Sequence, residues 1–377
     1  MNIKITVLFF TLGLAALLTA TAVGQTPTPQ KMIIRWPAVA EGNYPAEPEK
    51  LLSTVKGYFE EAQVPEVSSR LSAVIAAPAP YQFAGAISAH AFKSLQPGQY
   101  ERIIIIAPGH GVSFENCSIP AVDTFITPLG PVALDASAIH YILYSPIMQS
   151  HQIDYDANSN IKHIHEFEFA IETLLPFLQE RLQEFKLVPI LVGELTDSEG
   201  IVRENTIAAI ADTIRPIINE RTLVVVSSSF TQYGAAYNNV PFTDNIAENI
   251  ARLDRLAFEP LLKLDLHGFR SYLNETDNMI DGKYCIQILM KLLPPNARAR
   301  ILAYETSAAV TNDDQDSVSY AAFTFHDPSK PALSAQPDKV RPLVLRRPRQ
   351  MVKPPTETEK TDPDKKNSLP TVPPKTE

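Results

Sequence analysis

Few of the residues that usually announce a chemistry occur in this chain of 377 residues. There are two cysteines, Cys117 and Cys285, and neither stands in a CxxC or HxxxC arrangement, which argues against a structural zinc site. One possible pair is no disulfide framework, so a single bridge and two buried thiols both remain open. No GxGxxG or GxxxxGK[ST] is present, so a nucleotide fold has no local support. Ser227-Ser228-Ser229 lacks the two glycines that make a nucleophile elbow. Beyond residue 24 there is no run of about 18 apolar residues, so nothing after it is expected to span a bilayer as a helix. Basic charge is also short: residues 25–328 carry a net −15, which argues against nucleic acid as a partner because phosphate binding needs a basic face.

The two ends differ from the rest. Lys4, the apolar run Ile5–Leu18 and the small-residue stretch Ala20-Thr21-Ala22-Val23-Gly24 have the layout of a secretory signal, so residues 1–24 are read as a signal peptide and the protein as exported, to a periplasm or the medium. Residues 329–377 hold ten prolines, no glycine and a net charge of +5, a composition expected to stay disordered and able to rest on an anionic surface. Between them, 25–328 reads as one domain, with no internal linker or repeat.

Within that domain short β-branched runs alternate with stretches of helical period. Strands are expected at 73–77, 102–107, 187–192, 223–227, 300–304 and 318–325, and helices at 48–61, 85–95, 136–144, 166–185, 198–218, 244–263 and 281–293. Ile103-Ile104-Ile105-Ile106-Ala107 is apolar on both faces, which only a strand covered on both sides tolerates. The pattern predicts an α/β fold, a three-layer α/β/α sandwich around a mainly parallel or mixed sheet. In such sheets ligands lie beyond the carboxyl ends of the strands, which singles out Pro108-Gly109-His110-Gly111 and Ser227-Ser228-Ser229-Phe230.

Of the eight histidines, His110 sits in a glycine-flanked loop and His163 stands three residues before Glu166, so both can face one side of a helical turn. N-terminal capping by Glu166 competes with ligation there. His90, among Ala89, Ala91 and Phe92, reads as a packing residue, and Asp313-Asp314-Gln315-Asp316 as a solvated loop without the glycine and glutamate of an EF-hand.

The order of segments over about 38–326 resembles the Memo family, also called AmmeMemoRadiSam system protein B, whose fold is similar to class III extradiol dioxygenases. Gly42-Asn43-Tyr44-Pro45-Ala46 is similar to AGxWYP; Ile75–Tyr81 with Gly85 and Ala89-His90-Ala91-Phe92 to IAPHAGY…G…AHAY; and Ile106–His110 to the strand and GPSH loop. Thr127-Pro128-Leu129-Gly130 matches xTPLG, Lys162–Glu166 is similar to EHSLE, Val188–Gly193 to VPILVG, and Asp316–Ala322 to DSVSYAA.

The resemblance implies one pocket containing His110, His163, Glu166, Ser229, Gln232 and Asp281, with His110 and His163 as the metal-capable pair. The family's first pocket histidine falls on Pro78, its SSDFxHxG aspartate and histidine on Ser229 and Gln232, and its CG cysteine on Asp281. The exchanges at Ser229 and Gln232 keep hydrogen-bonding capacity and discard charge and basicity, so the expected function is binding of a small polar molecule without a cofactor. The alternative is a two-histidine, one-carboxylate centre for iron or copper, acting as an oxidoreductase.

Overall fold

A computed structural model describes residues 32–154 and 161–345 of the chain. The expected signal peptide, residues 1–24, and the tail from 346 onward lie outside the described residues. Six strands build the centre: β1 Ser69–Ala76, β2 Arg102–Pro108, β3 Lys186–Val192, β4 Thr222–Ser227, β5 Arg298–Thr306 and β6 Ser317–Pro331. Their order is β6-β1-β4-β2-β3, with β5 on the outer side of β6. The inner four run parallel, in a register that pairs Ile103 with both Leu187 and Leu223, while β6 is antiparallel to β1 and β5 to β6. The sheet is therefore mixed, parallel at its centre and antiparallel toward both edges, where Cys117–Ser118 adds to the far side of β3. Ile103 to Ala107 are fully inaccessible, as are Leu187, Val188, Ile190 and Val225.

Helices cover both faces. On one side lie α1 Pro48–Glu61, α2 Tyr81–Phe92 and α3 Leu175–Leu182; on the other lie α4 Glu204–Ile214, α5 Ile246–Lys263, α6 Leu266–Thr276 and α7 Lys283–Leu292. Amphipathic spacing explains the packing: in α1, Leu51, Val55 and Phe59 recur every fourth residue on the buried side, and in α4 Ile207, Ile210, Ala211 and Ile214 do so. The architecture is the expected three-layer α/β/α sandwich.

Three local expectations need correction. The helix expected at 166–185 is interrupted: only Leu175–Leu182 is α-helical, preceded by short 3-10 turns at Ile164–Glu166 and Glu172–Leu174. The reason is local competition, because the Glu168 carboxylate accepts the amides of Phe169 and Ala170 at 2.9 and 3.0 Å. Helix α6 has no counterpart in the sequence reading; Asp265 caps it by accepting the Gly268 amide at 2.9 Å. Residues 329–345 do not leave the body at 328. β6 continues to Pro331, the Ala332 amide donates to Ser68 at 2.8 Å, the Gln336 amide donates to Pro97 at 2.8 Å, and Leu333, Leu343 and Leu345 pack on the core. Scattered leucines offset the proline-rich composition there. Cys117 and Cys285 are both free and buried.

Candidate functional site

The site lies where β2 and β4 end. Leaving β2, the Gly109 amide donates to Val192 at 3.0 Å and the chain turns so that the His110 ring stacks on Phe169, with centroids 4.6 Å apart. Both ring nitrogens of His110 face carboxylates: Nδ1 lies 2.9 Å from Glu168 Oε1 and Nε2 lies 3.3 Å from Asp281 Oδ2. The His110 amide donates to Glu168 Oε2 at 2.7 Å, so one carboxylate holds both the backbone and the ring of this residue. The ring is a quarter exposed, whereas Glu168 and Asp281 are 4% and 11% exposed.

Asp281 stands just before α7. Its Oδ1 accepts the amides of Ser229 at 2.8 Å and Gly282 at 2.6 Å, and the Ser228 hydroxyl at 3.2 Å. Glycine is required next to it, since a Cβ on Gly282 would fall 2.3 Å from Ser228 Oγ and 3.0 Å from the Ser227 carbonyl oxygen. Gln232 closes the rim, donating from Nε2 to Ser229 Oγ at 3.1 Å. Ser227 Oγ donates to the Ala170 carbonyl at 2.8 Å, which ties the end of β4 to the segment carrying Glu168.

Electrostatics fix the protonation of this group. Burial opposes charge on His110, but its hydrogen bonds to Asp281 and Glu168, together with their negative charge, outweigh it and hold the ring's pKa up at about 10. Burial likewise disfavours charge on Glu168 and Asp281, yet His110 and the surrounding donors keep both carboxyls below their ordinary values. At neutral pH the three form an imidazolium between two carboxylates, net −1. An imidazolium has no lone pair with which to accept a proton.

His163 and Glu166 belong to another cluster. His163 Nε2 lies 2.6 Å from Ser150 Oγ, the His163 amide donates to Glu166 Oε1 at 3.2 Å, and the His163 ring lies 5.4 Å from that of His165. Burial pushes the His163 pKa down to about 4, against the attraction of Glu166. None of its contacts is shared with His110. Thus the structure brings His110, Ser229, Gln232 and Asp281 together and sets His163 and Glu166 apart. Among the described residues no three histidine, cysteine or carboxylate side chains form a set able to hold a metal ion. The donors do not fit iron or copper: His110 is occupied at both nitrogens, Glu168 accepts four hydrogen bonds, and Asp281 Oδ1 accepts three.

Glu168 is the site residue that sequence reasoning missed, and a signal for it existed. Placed on Glu168-Phe169-Ala170-Ile171-Glu172, the EHSLE pattern matches both glutamates and the apolar fourth position; on 162–166 it matches only a histidine and one glutamate. In the better placement the histidine position is Phe169, the ring on which His110 stacks. Its second glutamate, Glu172, is fully buried and accepts from Arg35, the Tyr44 hydroxyl and the Ala38 and Val39 amides. The misplacement accounts for the wrong assignment of His163 to the pocket.

Several known proteins are similar to this chain in sequence. A family model described as Memo-like protein matches residues 35–324. Protein MEMO1 of Homo sapiens is 26% identical over 305 residues, covering 78% of this chain and 97% of that protein. A MEMO1 family protein of Thermococcus kodakarensis is 27% identical over 303 residues, covering 78% of this chain and 99% of its own. The crystal structure of an uncharacterized Escherichia coli K12 protein aligns at a TM-score of 0.38 and 11% identity, over 68% of this chain and 99% of that one. On the family match over most of its described length, the chain belongs to the Memo-like family.

Proposed function

We propose that this protein is an exported Memo-like binding protein that takes a small polar ligand at the His110 site without metal chemistry. The observation that carries the reading is the clamping of His110: both ring nitrogens face carboxylates, Glu168 and Asp281, which leaves neither nitrogen free to serve as a base. Ser229 and Gln232 keep hydrogen-bonding capacity at the rim, and the net negative charge favours a ligand rich in donors. Export rests on residues 1–24, and contact with an anionic surface on the basic residues of the tail, Arg346, Arg347 and Arg349 among them.

The test is elemental analysis of protein purified without chelator, repeated on His110→Ala. Far less than one iron, copper or zinc per chain is expected in both proteins. One equivalent that disappears in His110→Ala would overturn the binding reading. Appearance of the full-length precursor in the cell, with no shorter product outside the cytoplasm, would overturn the export part.

A further inference from the structure

The opposite end of the sheet holds a cleft of about 290 Å³, between the start of β1, the start of β4 and the end of α7. We infer that this cleft is a second binding site, for a small organic anion with an apolar body. Arg70 lines it and is 9% exposed. Its Nη2 donates to the Asn219 carbonyl oxygen at 2.9 Å, and its buried Nε has no partner. Among the described residues no carboxylate oxygen comes within 4.0 Å of its guanidinium. A buried guanidinium held by one carbonyl is costly, and an anion in the cleft offsets that cost.

The neighbouring charges do not supply that anion. Asp327 is the cross-strand partner of Arg70, but its Oδ1 accepts the Ser329 amide at 2.9 Å and the Ser329 hydroxyl at 2.5 Å. Glu220 accepts from Lys330 at 3.2 Å. Asn219 contributes a second donor. Its Oδ1 accepts the Arg221 amide at 2.8 Å and the Thr222 hydroxyl at 2.9 Å, which fixes the orientation of the side-chain amide and leaves Nδ2 without an acceptor among the described residues.

Leu292 and Leu293 add apolar surface to the lining of the cleft. The cleft thus pairs a donor-bearing polar side, where Arg70 and Lys330 balance Asp327 and Glu220, with a hydrocarbon side, and the unpaired Arg70 guanidinium is the group that would receive a short-chain or aromatic carboxylate. At roughly 30 Å³ per water-sized group it has room for about ten non-hydrogen atoms.

Hexanoate, hexanol and hexylamine titrated into the full chain by calorimetry test the assignment. Hexanoate is expected to bind, hexanol at least tenfold more weakly, and hexylamine not at all. Arg70→Met is expected to weaken hexanoate at least tenfold and Arg70→Lys less. Leu293→Trp, which fills the cleft and leaves every charge in place, is expected to abolish binding and decides the matter if Arg70→Met does not fold. The proposal is overturned by no hexanoate binding, by equal binding of hexanol, or by retention of hexanoate affinity in Leu293→Trp.

Discussion

Replacing His110 by glutamine removes the positive charge between Glu168 and Asp281, and the consequence is a specific pH dependence of stability. A ring with a folded pKa of about 10 against an ordinary 6.5 corresponds to roughly 3–5 kcal/mol, solvent at the quarter-exposed ring being allowed for. Because the folded value is the higher one, this contribution is fully present below 6.5 and is lost as pH rises through about 10. Between those values the folded chain holds more protons than the unfolded chain, so stability falls with pH by up to ~1.4 kcal/mol per pH unit. Burial also pushes up the Cys117 and Cys285 thiols, which adds its own alkaline loss, so the quantity to follow is the difference between wild type and His110→Gln. Urea unfolding of both proteins at intervals from pH 7 to 9.5 measures it. The difference should be largest at pH 7 and shrink steadily toward alkaline pH. A difference that does not change with pH, or that grows, refutes the imidazolium clamp.

Other perturbations follow from the same geometry. Glu172→Ala strands the buried Arg35 charge and two backbone amides, and should lower the urea-unfolding free energy by about 3–5 kcal/mol. Gly234 has φ +123° and a Cβ there would lie 2.2 Å from Asp316 Oδ1 and 2.4 Å from the Gln315 carbonyl oxygen, so Gly234→Ala should cost about 1–3 kcal/mol by the same assay. A chain ending after Pro331 loses the packing of Leu333, Leu343 and Leu345, and should be about 2–3 kcal/mol less stable than one ending after Leu345. Equal midpoints for those two truncations would show that residues 332–345 contribute nothing to the fold.

The sheet was readable from sequence because a strand covered on both faces leaves an unbroken apolar run: 102–107 and 223–227 fall within β2 and β4. Helices such as Pro48–Glu61 were readable because one face alone is buried. The site was legible only in part. His110 and Ser229 follow from the strand-end rule, but the bond between His110 and Asp281 spans 171 positions, and no local pattern encodes it. Glu168 was hidden inside what reads as a helix, since its apolar neighbours keep helical spacing while its carboxylate takes the amides that a helix would use. His163 and Glu166 drew attention through an i, i+3 spacing that the structure spends on a local turn and on Ser150. Arg70 carries no motif; its meaning comes from the missing carboxylate around it, which is a property of the packed molecule. Helix α6 escaped because it buries only Phe269 and Tyr272 and its start depends on the Asp265 cap.

The central claim is that His110 is an imidazolium held by two carboxylates at neutral pH. Long-range nitrogen–proton NMR of the histidine rings, with His110 assigned by its loss in His110→Gln, tests it most directly. Both His110 ring nitrogens should show the shifts of protonated, hydrogen-bonded nitrogen at pH 7 and titrate only near pH 10. A His110 ring with one unprotonated nitrogen at pH 7, titrating near 6.5, would contradict it and return the residue to service as a base or metal ligand.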